Sequence, residues 1–263
     1  MTGGAGNDVY LVQNAGITVI ENPGEGTDIV TSDVDFALPT NVEHMFLLGF
    51  GNITGTGNNV QNVLVGNLGI NTLIGKQGND IYFVQTAGAT IIENVGEGLD
   101  TLFNYVTMTL DAEVEDMRMQ GTSNIDGTGN SMNNVLTGNS GDNVLNGKAG
   151  NDTLIGGAGA DKFAFNTVLN AGTNVDTIAD FQAGDAIQLY QTIFTSLTPG
   201  SLAAGNFVAA AGATAQEADD FILYDTATGN LYYDQDGIGG TAATQFASLT
   251  GQPALSHANL VVV

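Results

Sequence analysis

The sequence predicts an all-β protein. A parallel β-roll or β-solenoid is expected over residues 1–165, followed by a β-rich capping region over residues 166–263. Three observations predict it. The 263 residues include 37 Gly but are only 12% charged, against usual shares of about 7% and about 25%. Residues 3–74 align with 75–146 without a gap, and 37 of the 72 positions are identical. Inside that long period runs a shorter one of nine.

The long repeat fixes the architecture. An insertion inside one coil of a solenoid would break stacking on both neighbours, so a gap-free period signals stacked coils. Gly6-Asn7-Asp8 returns as Gly78-Asn79-Asp80, Glu21-Asn22 as Glu93-Asn94, and Gly55-Thr56-Gly57-Asn58 as Gly127-Thr128-Gly129-Asn130. A third copy begins at Gly150-Asn151-Asp152 and then diverges.

The nonapeptides start at Gly57, Gly66 and Gly75, and again at Gly129, Gly138, Gly147 and Gly156. Their glycine-rich first four positions allow positive φ and a tight turn. Position six holds Asn62, Asn71, Asp80, Asn134, Asn143, Asp152 and Asp161. Position eight is always large and apolar: Leu64, Leu73, Tyr82, Leu136, Leu145, Leu154 and Phe163. Positions seven to nine read as a short strand with one side chain inward. Two nonapeptides close a coil of 18, and four such coils make 72. Coils stack at the ~4.8 Å strand spacing, so turns on one edge lie above one another with carbonyls and carboxylates facing. Such an all-oxygen site suits Ca²⁺ better than Mg²⁺.

This pattern resembles the RTX calcium-binding nonapeptide family over most of residues 3–164. The resemblance implies Ca²⁺ held between turns n and n+2 by position-six carboxylates and by carbonyls of positions one to four. It pairs Asn62 with Asp80, Asn134 with Asp152, and Asn143 with Asp161. An Asn amide is a weaker ligand than Asp, so stacked Asn ladders are the alternative at Asn62, Asn71 and Asn143. The turn residues implied alongside are Gly4 and Gly6; Asn58; Gly75, Lys76, Gln77 and Gly78; and Asn130. To these it adds Asn139 and Gly141; Gly147, Lys148, Ala149 and Gly150; and Gly156 and Ala158.

A second type of turn, Glu21-Asn22-Pro23-Gly24-Glu25-Gly26-Thr27-Asp28, repeats at Glu93–Asp100. The spacing from Asp8 to Asp28 equals that from Asp80 to Asp100, one coil plus two positions. The step from Asp100 to Asn134 is two short of two coils, so the register recovers. Asp8 with Asp28 and Asp80 with Asp100 are therefore expected as the best sites, with Pro23, Glu25, Val95 and Glu97 nearby. Segments 31–56 and 103–128 read as further coils without metal. Met45–Leu48 is expected as a buried strand, and Asp33, Asp35, Asp111 and Asp116 as solvated acids.

After Phe165 the period stops. Residues 176–189 read as strand, turn and strand, similar to the segment that follows the last nonapeptides in secreted RTX proteins. Asp176 is the expected extra ligand above Asp152, whereas Asp180 and Asp185 fit turns equally well. Residues 221–234 read as a hairpin. The apolar end, Ser256–Val263, looks like the tail read by type I secretion machinery, and also fits a capping strand.

Composition excludes several functions. A net charge of −24, from 20 Asp and 8 Glu against four cations, argues against nucleic-acid and anionic-membrane partners. No apolar stretch approaches the ~18 residues of a membrane span, and the N-terminus carries no signal peptide pattern. Cys is absent, so disulfides are too. The two His, His44 and His257, match no catalytic motif, and no enzyme is expected. The expected function is a secreted, Ca²⁺-binding structural protein that folds outside the cell. Its first coil, starting at Gly3, has no cap, so head-to-tail self-association into filaments or a surface or matrix layer is expected. The alternative is the C-terminal folding and secretion module of a larger enzyme or adhesin.

Overall fold

One large apolar side chain per nonapeptide points inward, and that alternation builds the molecule. All seven position-eight residues, Leu64 to Phe163, are completely buried. Their neighbours at positions seven and nine are mostly half-exposed, as in Val63–Val65 and Thr153–Ile155. The computed structural model describes all 263 residues. They form two units, Met1–Gln120 and Gly121–Val263. Both are all-β, as expected; the helical content is two single 3₁₀ turns, Ala204–Asn206 and His257–Asn259.

The first unit contains β1 (Val9–Val12), β2 (Ile29–Ser32), β3 (Phe36–Ala37), β4 (His44–Leu47), β5 (Thr54–Thr56) and β6 (Val63–Val65). It continues with β7 (Thr72–Ile74), β8 (Ile81–Val84), β9 (Thr90–Ile92), β10 (Thr101–Asn104), β11 (Met108–Thr109) and β12 (Asp116–Met119). One face is the parallel ladder β1-β2-β4-β6-β8-β10-β12. The other is the parallel ladder β3-β5-β7-β9.

Coil length is not constant. The step between paired positions is 20 from Val9 to Ile29, 15 from Ile29 to His44, 19 from His44 to Val63 and 18 from Val63 to Ile81. These four coils make up the long period, and the long and short steps recur from Ile81 to Thr101 to Asp116. The expected four coils per 72 residues hold, with 18 as their mean; the coil two longer at Asp28 and Asp100 is as expected, and the short coil that follows explains the recovery of register. The strand expected at Met45–Leu48 is β4, and it alternates: Met45 and Leu47 are buried while Leu48 is exposed.

The second unit holds β13 (Gly127–Thr128), β14 (Val135–Thr137), β15 (Val144–Asn146), β16 (Thr153–Ile155), β17 (Lys162–Phe165), β18 (Asp176–Ile178) and β19 (Ala186–Leu189). Then come β20 (Gly200–Ser201), β21 (Phe207–Ala210), β22 (Ile222–Asp225), β23 (Asn230–Tyr233), β24 (Thr244–Leu249) and β25 (Leu260–Val262). The nonapeptide period ends at 165, but the ladders continue. β18 and β19 add in parallel to β16 and β17 through longer coils, in which Thr153 pairs with Thr177 and Lys162 with Ala186. β24 and β25 then add in parallel to β18 and β19. The expected hairpin is β22–β23, turned through Gly229 at φ +82°. The apolar C-terminus is a ladder strand, β25, paired with β19.

Candidate metal centres

In the nonapeptide turns with Asp at position six, positions two and four take the left-handed region: Lys76 and Gly78 (φ 75° and 138°), Lys148 and Gly150 (70° and 127°), Gly157 and Gly159 (89° and 134°). Position one does not. Its glycine is required by close approach instead. A Cβ on Gly75, Gly147 or Gly156 would lie 2.2, 2.1 or 2.5 Å from the Oδ2 of Asp80, Asp152 or Asp161. This corrects the expectation that all the turn glycines serve positive φ: the first leaves room for the position-six acid.

The position-six side chains form a ladder along the edge of the coils. Asp80 Oδ1 accepts the Asn62 N–H (2.6 Å), and the Asp80 N–H donates to Asp100 Oδ1 (2.7 Å). Asp28 Oδ1 likewise accepts from Asp8 (2.8 Å), Asp152 from Asn134 (2.7 Å), and Asp161 from Asn143 (2.8 Å). Asp176 accepts from Asp152 (3.1 Å) and Asp185 from Asp161 (3.0 Å). All the pairs expected from the sequence are brought together. Each accepting acid has one oxygen satisfied in this way. The second oxygen has no partner at Asp80, Asp100, Asp152 and Asp161, and Asp8 Oδ2 has none either.

Two side chains missed by the sequence reading join the ladder. Glu43 accepts the Asp28 N–H and Glu115 the Asp100 N–H (2.8 and 2.7 Å). Two more, Glu21 and Glu93, complete three-carboxylate clusters: Asp8, Glu21 and Asp28, and Asp80, Glu93 and Asp100, each with oxygens within 4.8 Å of one another. Glu21 matches Glu93, and Glu43 matches Glu115, across the long repeat, and that was the available signal. Glu25 and Glu97 act elsewhere. Their carboxylates accept from Asn22 and Asn94 inside their own turns, and Pro23 and Val95 lie exposed at the tips.

Asn-containing turns are hydrogen-bonded through their own amides. The Asn62 Nδ2 donates to Asn58 Oδ1 and to the carbonyls of Val42 and Glu43, and the Asn143 Nδ2 to Asn139 Oδ1 and Ile125 O. Asn130 and Asn139 donate their N–H to the Oδ1 of Asn134 and Asn143. The side-chain oxygens expected to face a cation there already have donors. Asp35 and Asp111, read as solvated, accept from Thr54 and Ile91 (both 2.8 Å). Asp180 accepts from Gly156 and Gly157 (2.8 and 2.9 Å).

Burial without a counter-charge disfavours the carboxylate forms. Desolvation, with repulsion from Asp100 and Glu97, pushes Asp80 up to about 7 against the pull of the Asn62 N–H. Desolvation pushes Glu93 up to about 8, and Asp100 and Asp161 to about 6. Asp152 and Asp176 face each other, and burial raises both. The Tyr82 phenol donates to Glu93 and is held neutral by burial. Buried, partnerless oxygens with raised pKa values and no paired cation are the electrostatic signature of a hard-cation site.

A signature for the RTX calcium-binding nonapeptide repeat (4 copies) matches residues 54–84 and 128–163. The chain carries RTX calcium-binding nonapeptide repeats. These repeats bind Ca²⁺, and the residues present fit it: oxygen donors, carboxylate-rich, with glycine leaving the space. The RTX turns matched include Asp80, Asp152 and Asp161 but not Asp8, Glu21, Asp28, Glu93 or Asp100. The chain is also similar to the endo-1,3-1,4-beta-glycanase ExsH of Rhizobium meliloti (strain 1021), at 36% identity over 73 residues. That match covers 28% of this chain and 16% of the glycanase. Among solved structures, the extracellular lipase LipA from Serratia marcescens matches at 16% identity and a TM-score of 0.27. The match covers 91% of this chain and 45% of that one. RTX proteins are typically secreted through type I machinery. No helix of this chain is long and apolar enough to cross a membrane.

Proposed function

We propose that this chain is an extracellular, calcium-dependent structural protein without a catalytic centre, exported by type I machinery that reads its C-terminal residues. One observation carries the reading: the buried carboxylate oxygens of Asp8, Glu21, Asp80, Glu93, Asp100, Asp152 and Asp161 have no partner. Leaving them so costs several kcal/mol each, which Ca²⁺ offsets only in the folded chain. The chain stays unfolded where Ca²⁺ is scarce and folds where it is plentiful. Assembly is part of the proposal. β1 has β2 on one side and a free edge on the other, with Val9, Leu11 and Ile20 exposed. A strand edge of this kind pairs readily with another copy, and a head-to-tail contact that closes no ring grows into a filament.

Circular dichroism in chelator and in millimolar Ca²⁺ tests the folding, and electron microscopy in Ca²⁺ tests the assembly. The expected result is a disordered chain in chelator and β-rich filaments in Ca²⁺. A spectrum that chelator leaves unchanged overturns the first part, and a monomer at high protein and Ca²⁺ concentration overturns the second. The glycanase match favours one other reading, a folding and secretion module within a larger secreted enzyme. The mass of the secreted protein separates the two.

A further inference from the structure

We propose that Glu21 with Tyr10, and Glu93 with Tyr82, turn two positions of the ladder into metal centres of a separate class. Each would hold a hard cation with three carboxylates and a phenol. The proposal rests on the calcium reading of the turns and goes beyond it, because Glu21, Glu93, Asp28 and Asp100 lie outside the RTX nonapeptides matched at 54–84 and 128–163.

Two clusters, one in each copy of the long repeat, have the same composition. Asp8, Glu21 and Asp28 converge within 4.8 Å, and Asp80, Glu93 and Asp100 do the same. Acidic residues gather often without binding anything, but here five of the six are buried and five of the six carry an unpartnered oxygen. Asp80, Asp100, Asp28, Glu21 and Glu93 are 0%, 1%, 1%, 6% and 8% exposed. Both oxygens of Glu21, and one each of Asp8, Asp80, Glu93 and Asp100, have no hydrogen-bond partner. The Tyr10 hydroxyl, on a side chain 4% exposed, has none either.

The glycines show where these groups aim. A Cβ on Gly75 would lie 2.0 Å from Tyr82 Oη, 2.2 Å from Asp80 Oδ2 and 2.2 Å from Glu93 Oε1. A Cβ on Gly3 would lie 2.2 Å from Asp8 Oδ2 and 2.3 Å from Tyr10 Oη. The position-six carboxylate and the phenol thus converge on the same small space in both copies, and in the second Glu93 joins them. Elsewhere position eight is Leu or Phe. Tyrosine stands there only at Tyr10 and Tyr82, in the two coils that go on to supply Glu21 and Glu93.

Charge sets the selectivity. A site with three carboxylates has charge −3. Ca²⁺ leaves it at −1, whereas a lanthanide(III) ion of similar size neutralises it. Mg²⁺, which demands octahedral geometry and keeps its waters, fits a buried all-protein cage poorly. The phenol beside the cation gives the site a spectroscopic label, because tyrosine transfers excitation to Tb³⁺ only at short range.

The experiment titrates Tb³⁺ into the Ca²⁺-loaded full chain and reads tyrosine-sensitised emission alongside bound metal. The expected result is emission that saturates with the exchange of two ions, one for each cluster. Tyr10→Phe with Tyr82→Phe should lose the emission while the circular dichroism stays unchanged. Glu21→Gln with Glu93→Gln should lose both ions and the emission, whereas Asp161→Asn should lower bound Ca²⁺ and keep the emission. If the glutamine pair does not fold, the phenylalanine pair decides. Emission surviving the phenylalanine pair overturns the proposal. Ca²⁺ binding with no sensitised emission in the wild type overturns the proposal but leaves the calcium reading standing. A wild type that binds neither ion overturns both.

Discussion

Replacing Asp80 by Ala should be far more damaging than replacing Asp142, and the damage should depend on calcium. Asp80 is fully buried, accepts the Asn62 N–H at 2.6 Å, and donates its own N–H to Asp100. Without it, a buried N–H loses its acceptor, which costs about 1–3 kcal/mol. The cation site also goes. At free Ca²⁺ near 100 times Kd, one site contributes about 2.7 kcal/mol. The two effects together cost about 4–6 kcal/mol, and at about 2–4 °C per kcal/mol in a chain of this size the midpoint should fall by about 10–20 °C. Asp142 is exposed and accepts only the Ala160 N–H at 2.9 Å, on the outer side of the turn. Its replacement should leave the midpoint nearly unchanged. Thermal melts of both variants at Ca²⁺ about 100 times Kd and at Ca²⁺ near Kd check this. Near Kd the metal contribution falls to about 0.4 kcal/mol, and removing Asp80 relieves its repulsion with Asp100 and Glu97, so the loss should shrink by about 2 kcal/mol or more. Equal losses in the two variants, or an Asp80 loss that ignores calcium, would refute the assigned register.

Two further outcomes are expected. In chelator the chain, disordered at pH 8, should regain β-structure by pH 5, as read by circular dichroism, because burial raises Asp80 to about 7 and Glu93 to about 8. The folded state then holds protons the unfolded chain releases near pH ~4; that stability is complete below ~4 and lost as pH rises through the folded values. In Ca²⁺ the order should reverse, since the cation needs ionised ligands; metal-free stability rising with pH would contradict the assignment. Gly147→Ala, whose Cβ would lie 2.1 Å from Asp152 Oδ2, should lower the Ca²⁺ count by one ion, as read by metal analysis. Gly172→Ala, with its nearest atom at 3.5 Å, should leave the count unchanged.

The coils were legible because their rules are local. A large side chain at position eight and a gap-free period need no knowledge of the neighbouring coil. The pairs Asp8–Asp28 and Asp80–Asp100 were legible by arithmetic alone. Glu21 and Glu93 were not, since they lie well past the position-six acid and outside the nonapeptide. Only the closing of the long coil brings them to Asp8 and Asp80. The reason for glycine at position one was hidden too, because it concerns the space occupied by the position-six acid and not the backbone of the glycine itself. The C-terminal strands lost their period at 165 but kept their pairing, since a longer coil loops out its extra residues between strands and leaves β18 and β19 in register.

Coil length and metal chemistry are linked. Both three-carboxylate clusters sit on the longest coils of the repeat, and each is followed by the shortest, whose Glu43 or Glu115 closes the ladder on Asp28 or Asp100. The long coil provides the wide turn that brings a glutamate inward, and the short one restores the stack before the next copy begins. The arrangement gathers three acids in one dry site, which costs several kcal/mol per charge after relaxation. That is comparable to the roughly 5–15 kcal/mol by which a typical domain is stable at all. At neutral pH the coils must therefore bind a cation or lose much of their stability. A chain of net charge −24 with four basic residues and no cysteine has few covalent or ionic alternatives for cross-linking its turns. The same acids that destabilise it without calcium are the ones a bound cation neutralises.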